Sequence, residues 1–449
     1  MKYLYFCTLS FLSMAALFFP QQKATAQTLP LIWQRCYGGD SSDAIVCIKQ
    51  TSDGGYVAAG STRSSDGDLS SNGGIKGLWV LKLDGAGNIQ WERTYNDTMV
   101  GANYIEPTTD GGYIVTGSQT LKLYNDGSIQ WAKNIFGYVI HQAADGGYIV
   151  ASYTYNLIKL DTAGNVTWQY NYAPSFDNLT VSDVCTSLAD DGYVFTGAIV
   201  DLYASPYVAK VDNSGTLTAP IYADYLHGSG DHVCKTTDGH YLYTSNSTHQ
   251  DSIIKLDASL STTWQIVASG GSCISPTSDN GFITLSGGLF GNPDISLTKY
   301  DVSGSQQWVR YISGTQTGNG RFALQTTGGN YVIAGFVNQN DSEVSGVHGG
   351  SVDGWVSLLG YNTAVPTVKT NQADVKIYPV PATGQLFIDL PPGDQNATLK
   401  LIDVSGNTLM NETSNTLNRT LDLTHFAAGQ YLLAVINNGS FNSYKVIHY

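Results

Sequence analysis

Two acid-rich stretches, Asp66-Gly67-Asp68 and Asn340-Asp341-Ser342-Glu343, carry the side chains best suited to a hard cation. Calcium takes about six to eight oxygen ligands, and Asp66, Asp68, Asp341 and Glu343 are weak candidates for holding it. Neither stretch follows the EF-hand spacing, and solvated acidic loops are the commoner origin of such runs. His227 and His232 flank Asp231 on what reads as a polar loop. A metal or acid–base pair there competes with the plainer reading of an ordinary loop. No nucleophile elbow, H-E-x-x-H pair or phosphate loop occurs, so no catalytic or cofactor-binding residue is assigned.

Cysteine chemistry is equally spare. Beyond Cys7 lie Cys36, Cys47, Cys185, Cys234 and Cys273, an odd set that leaves at least one thiol over. They form no C-x-x-C pair, which removes support for a thiolate zinc site. Cys47, Cys185, Cys234 and Cys273 fall in nearly the same place of a repeat. They read as small buried hydrophobes filling one niche. The alternative is a disulfide between neighbouring repeats, with Cys234 and Cys273 the pair to test.

The elements that must position these groups come from that repeat. Asp53-Gly54-Gly55-Tyr56 returns as Asp110-Gly111-Gly112-Tyr113 and Asp145-Gly146-Gly147-Tyr148. Drifted copies end at Tyr193, Tyr241, Phe282 and Tyr331, giving a period of about 46 residues. Four residues beyond each aromatic stands Gly60, Gly117, Ser152, Gly197, Ser245, Ser286 or Gly335. A second motif follows, Leu81-Lys82-Leu83-Asp84 leading through Gly87-Asn88 to Trp91. Its relatives place Trp33, Trp91, Trp131, Trp168, Trp264 and Trp308 in one column.

Asp-Gly-Gly tolerates the positive φ of tight hairpins, so each unit reads as four short strands. In the first they are Ala44–Thr51, Tyr56–Thr62, Trp79–Leu83 and Ile89–Tyr95. A single meander cannot cover both its faces, whereas units of this length stacked about an axis can. The expectation is an all-β protein whose main part is a β-propeller, with seven blades preferred. The shortness of the second and third units leaves six or eight open. The small column is assigned to a crowded inner strand near the axis, and the tryptophans to packing between blades. An extra strand, Ile32–Tyr37, precedes the first unit, and the last stops at Trp355–Tyr361. The N-terminal strand is therefore expected to complete the final blade and remove two sheet edges.

Composition agrees with this picture. Among 449 residues are 49 Gly and 29 Tyr, with only 13% charged, a balance suited to strands and turns. The net charge of −14 argues against nucleic acid as a partner. Lys2, the apolar run Leu4–Phe19 and Ala24-Thr25-Ala26 before Gln27 read as a signal peptide over residues 1–26, cut between Ala26 and Gln27. Cys7 has no lipobox. No later segment approaches the ~18 apolar residues of a membrane helix, so the mature chain is expected to lack a transmembrane segment.

After the propeller region (27–362) comes a linker, 363–373, containing Pro366, and a second pattern over 374–449. Val375–Pro381, Gln385–Leu390, Leu399–Gly406, Leu421–Leu423, Gly429–Val435 and Lys445–Tyr449 alternate with turns, suggesting a small Ig-like β-sandwich. These residues resemble the type A sorting domain of the type IX secretion system of Bacteroidetes. The Y-P-x-P segment is Tyr378, Pro379 and Pro381, and the D-x-x-G hairpin is Asp403 and Gly406. Gly429 and Tyr431 form the G-x-Y strand, and Lys445 opens the basic-apolar terminus. Val380 stands where the family has Asn, and His448 departs at the terminus. The resemblance implies export across the outer membrane by the type IX machinery, to the medium or the cell surface.

The repeat region resembles the uncharacterised propeller-like regions of such cargo. Its K-L-D-x-x-G-x-x-x-W pattern loosely resembles the tryptophan-docking repeat of quinoproteins and the Asp box of sialidases, in which those positions are structural. No polar, cationic pocket for a quinone is legible. With no catalytic signature, the expected function is a binding or adhesion module for a glycan or protein ligand. The alternative is a secreted polysaccharide-active hydrolase or lyase. Convergent Asp, Glu and His in a deep axial pocket beside aromatic platforms would favour the latter.

Overall fold

The structure is a computed structural model. It describes residues 29–69, 77–96, 101–152, 156–171, 179–188, 190–200, 204–222, 228–247, 251–268, 271–287, 295–312, 318–340, 342–360, 375–380, 382–390, 397–403, 408–413, 416–437 and 440–448. The signal segment with Ala26 and Gln27, the linker 363–373, Asp341, Pro381 and Gly406 lie outside the described residues. The chain divides into two compact units, Met1–Tyr361 and Asn362–Tyr449. Apart from one 3₁₀ turn, Gly67–Leu69, every named element is a strand.

The first unit is a seven-bladed β-propeller. Residues 31–359 make seven four-stranded antiparallel sheets. In the first blade Asp43–Gln50, Tyr56–Thr62, Gly77–Leu83 and Ile89–Asn96 pair in chain order. Each Asp-Gly-Gly turn works as its composition demands. Thr51 N–H donates to the Gly55 carbonyl at 2.9 Å while Gly54 sits at φ 81°, a conformation that suits glycine.

The seventh blade takes Asn319–Gln325, Tyr331–Val337 and Asp353–Leu359 from the end of the repeats and Leu31–Tyr37 from the beginning. Cys36 pairs with Trp355 and Tyr37 with Gly354, antiparallel. The expected closure is therefore present, with its third strand set two residues earlier than the sequence suggested.

The core is a ring of layers between blades. Val57, Val80, Ile105, Val115 and Val150 pack blades one to three together, and Ile45, Trp79, Val332 and Val356 join the last blade to the first. Burying a Val, Leu or Ile contributes about 1.5–3 kcal/mol, so each layer needs only a handful.

Two repeated side-chain devices hold the layers in register. Five of the six column tryptophans, all but Trp308, reach the turn between the third and fourth strands of the next blade. Trp91, Trp131, Trp168 and Trp264 donate their indole N–H groups to Asn125, Thr162, Asn213 and Val302 carbonyls at 3.2, 3.2, 2.8 and 3.2 Å. Each ring also meets the aromatic that opens the neighbour's second strand, as Trp131 meets Tyr148 at 5.7 Å. The second device pairs a third-strand lysine with the aspartate of its own blade's hairpin. Lys82–Asp53, Lys122–Asp110 and Lys159–Asp145 stand at 2.8, 2.9 and 2.7 Å, and Lys210, Lys255 and Lys299 repeat the pairing. The seventh blade has Gly328 in the aspartate's place and Leu358 opposite Val332, where Lys82 stands opposite Val57. Both partners are lost together.

The small-residue column needs a different reason from the one its sequence suggested. It lies on the second strand of each blade, not the innermost. Gly60, Gly117, Gly197 and Gly335 each face a β-bulge on the inner strand, which brings a carbonyl against the glycine. A Cβ on Gly60 would overlap the Ala44 carbonyl oxygen, and one on Gly335 that of Asn319.

The second unit is a β-sandwich. Three strands, Lys376–Tyr378, Gln385–Asp389 and Asn418–Asp422, form one sheet. Thr398–Asp403, Thr408–Thr413, Gly429–Asn437 and Ser440–His448 form the other. Alternation along Gln385–Asp389 sends Leu386 and Ile388 inward to meet Leu399, Leu401, Leu433 and Val446.

Candidate functional site

The innermost strands of all seven blades line one axial cavity of about 1060 Å³. They are Asp43–Gln50, Ala102–Pro107, Val139–Gln142, Leu179–Thr186, Gly228–Lys235, Cys273–Pro276 and Asn319–Gln325. Register places their residues in layers. Lys49, Glu106, His141, Cys185, Cys234, Ser275 and Leu324 each pair with the residue after the blade's aromatic. Tyr104, Asp183, His232 and Phe322 come from the layer two residues earlier.

Charge in this cavity is partly matched. Glu106 Oε2 lies 2.6 Å from His141 Nδ1, and its other oxygen accepts the Gln142 N–H at 3.2 Å. Burial pushes the Glu106 carboxyl up, but the charge and hydrogen bond of His141, with the charge of Lys49, outweigh it and hold Glu106 low. Asp183 Oδ2 stands 3.6 Å from His232 Nδ1 and accepts the Val233 N–H at 3.1 Å. Burial pulls His232 down, yet the hydrogen bond and charge of Asp183, joined by Asp231, raise it above its ordinary value. The Lys49 ammonium sits between two rings, 4.6 Å from the centre of Tyr104 and 4.4 Å from that of Phe322. Lys235 donates to the Thr186 hydroxyl at 2.6 Å.

The cavity can thus bind a polar ligand through charges of both signs, hydroxyls and aromatic faces. Its two imidazole–carboxylate pairs could also move a proton. No cationic pocket is legible in the sequence because the cations of this one, Lys49, Lys235 and Arg321, come from three separate blades. One signal was available: Lys49, Glu106 and His141 each stand four residues before the aspartate of their turn. A polar residue at that place interrupts an otherwise apolar strand.

The earlier candidates are placed differently. His232 and Asp231 belong to the inner strand Gly228–Lys235, not to a loop, and His227 lies outside the described residues. Asp66 accepts the Asp40 N–H at 2.9 Å and Asp68 the Gly38 N–H at 3.1 Å, fastening the segment that follows the closing strand. Glu343 is ion-paired with Arg310 instead. Among the described residues no group of three or more His, Cys, Asp or Glu is arranged to hold a metal.

The five cysteines among the described residues are free thiols. The four repeat cysteines occupy two layers, not one: Cys47 and Cys273 pair three residues past the blade's aromatic, Cys185 and Cys234 one past. Burial pushes the Cys47 thiol up to about 11 and raises Cys185, Cys234 and Cys273 as well, which keeps them protonated and unreactive.

In the second unit Tyr378 stacks on Phe387 with ring centres 5.7 Å apart and donates its hydroxyl to Asp389 at 2.9 Å. Pro379 follows through a cis peptide. Asp403 pairs with Tyr431, whose hydroxyl donates to the Ala427 carbonyl, tying the turn to the strand that Gly429 opens. Lys445 pairs with Leu432 at the edge of the second sheet. Residues 376–448 match the family described as the secretion system C-terminal sorting domain.

The C-terminal unit is a secretion sorting domain. Its presence marks the chain as type IX cargo, secreted or held at the cell surface, and the sorting domain is its contact with that machinery. Among the described residues no helix is long and apolar enough to cross a membrane. No curated protein matches the chain. Solved structures similar to it include BamB from Moraxella catarrhalis, at 13% identity over 75% of this chain and 99% of that one, with a TM-score of 0.45. Another is BBS1N in complex with ARL6DN, soaked with lead, at 10% identity over 76% and 99%, with a TM-score of 0.46.

Proposed function

We propose that the propeller is a binding module that the sorting domain delivers to the cell surface or the medium, and that its axial cavity receives a glycan. The first 26 residues are removed on export, and residues 363–373 link the module to its tag. The supporting observation is the cavity wall. Seven strands contribute one surface of about 1060 Å³ that mixes aromatic faces with charged and hydroxyl groups. That volume stands just above the ~300–1,000 Å³ typical of small-ligand sites. Glu106, held ionised by His141 and Lys49, is poorly suited to donate a proton as a general acid.

A glycan array probed with the purified full chain tests this. Binding should appear, and Asn103→Trp, which fills part of the cavity, should abolish it. Binding indifferent to that change would move the site elsewhere.

The second reading, a polysaccharide hydrolase or lyase, draws on the same wall. Convergent Glu106–His141 and Asp183–His232 pairs beside Tyr104 are the arrangement such an enzyme uses. Release of shortened or unsaturated sugars by the full chain, lost in Asp183→Asn, would establish this reading over the first.

A further inference from the structure

Five of the seven inner strands carry a β-bulge at the same place, where one residue has no partner on the second strand. The residues that the ladder register skips are Val46, Asn103, Ser182, Asp231 and Arg321, one each from blades one, two, four, five and seven. A bulge re-aims its extra side chain and frees it from the constraints of the ladder. That freedom is visible here: positions equivalent in the fold hold five different residue types, while the turns around them repeat. Val46, Asn103, Ser182 and Arg321 line the axial cavity.

Arg321 is the charged member of that lining. Its side chain is exposed to the cavity and forms no hydrogen bond or ion pair with any described residue. The carboxylates of the wall are already engaged: Glu106 with His141, and Asp183 with His232. Among the described residues Arg321 and Lys235 have no carboxylate partner, in a chain whose net charge is −14. Surrounding protein lowers the Arg321 pKa by desolvation, although the guanidinium stays charged. A partly desolvated cation without a counter-ion is a site for an anion, and a guanidinium matches a carboxylate with two parallel hydrogen bonds. On the same ring Asn103 donates its amide nitrogen to the Gly137 carbonyl at 2.9 Å and presents its amide oxygen to sugar hydroxyls, and Ser182 adds a hydroxyl.

We infer that the bulge ring selects an acidic saccharide, with Arg321 anchoring the carboxylate of a uronic acid unit. This rests on the cavity being a glycan site. It goes further in naming the class of glycan and the residue that chooses it.

Titration calorimetry of the purified full chain against galacturonate, mannuronate and glucuronate oligomers, beside neutral cello- and malto-oligosaccharides, tests the assignment. At least one oligouronate should bind, and neutral sugars should bind tenfold or more weaker. Arg321→Ala should weaken oligouronate binding by roughly tenfold or more, Arg321→Lys by less, and Arg321→Glu should abolish it. Because Arg321 has no hydrogen-bond or ion-pair partner among the described residues, all three variants should melt at the temperature of the parent chain. Neutral oligosaccharides binding as tightly as oligouronates, with Arg321→Ala without effect, would overturn the inference and leave the glycan cavity standing. If neither class binds, both fall.

Discussion

Trp33 donates its indole N–H to the carbonyl of Gly85 at 3.1 Å, joining the last blade of the ring to the first. Trp33 belongs to the N-terminal strand that completes blade seven, and Gly85 to the third turn of blade one. Arg35 and Tyr37 reach the same turn, at Ala86 and Gly87, so three side chains of one strand latch the seam.

Trp33→Ala should therefore cost about 2–4 kcal/mol, somewhat below the loss for a fully buried tryptophan. It should also open the ring first at its seam. Hydrogen exchange would show strands Leu31–Tyr37 and Asp353–Leu359 losing protection ahead of blades two to five. Uniform loss across the blades would show that the seam is no weaker than its neighbours.

The turn glycines separate backbone strain from packing. Gly111 and Gly127 sit at φ 83° and 79°. A Cβ on Gly111 meets nothing within 4 Å, whereas one on Gly127 comes within 2.8 Å of the Trp91 ring. Gly111→Ala should cost only the ~1–2 kcal/mol of left-handed backbone. Gly127→Ala should cost more, and the Trp91 fluorescence should shift as the ring is displaced. Equal costs would mean that the indole yields freely.

Blade seven suggests how to test the lysine–aspartate device. Asp110→Asn leaves the buried Lys122 ammonium without its carboxylate and should destabilise the propeller by about 1–3 kcal/mol. Asp110→Gly combined with Lys122→Leu copies the Gly328 and Leu358 pairing and should recover much of that loss. Denaturant midpoints of the single and double variants decide it. A double variant worse than the sum of its parts would show that the charge is needed for more than its own satisfaction.

The same pairs predict an acid limit. Burial works against ionisation of Asp53 and Asp110. The Lys82 and Thr51 contacts at Asp53, and those of Thr108 and Lys122 at Asp110, nevertheless hold both at about 2. A depressed folded value favours the native state above the ordinary aspartate pKa of ~3.9, and the gain disappears as pH falls from there through about 2. Melting temperature should drop across that interval, less steeply in Asp53→Asn. A profile unchanged by the substitution would exclude Asp53 as a source.

Deleting residues 374–449 should leave the protein in the periplasm, detected by fractionation. Tyr431→Phe removes only the hydroxyl bond to Ala427 and should slow export less than the deletion does. Undiminished surface display after deletion would reject the tail as the address.

Much of the scaffold is legible in the residues because its signals are local. Asp-Gly-Gly-Tyr fixes a hairpin wherever it occurs, and the strands of blade one differ from their sequence-based bounds by a residue or two at an end. The tryptophan column points to contacts between blades because one indole recurs once per unit. The small column was visible too, but its cause was not. Gly60 is small because a bulge pushes the Ala44 carbonyl toward it, and a bulge is a property of a paired strand.

What the sequence by itself determined is the ring and its tag: the repeat, the spare strand at the start that closes it, and the ordered sorting motifs at the end. The tertiary structure alone decided the cavity. Lys49, Glu106, His141, Asp183, His232 and Arg321 come from six blades, and they meet only because the axis brings distant inner strands face to face. Residues that bind a ligand are under no pressure to resemble one another from blade to blade. The positions that could carry function are thus the ones where the repeat falls silent.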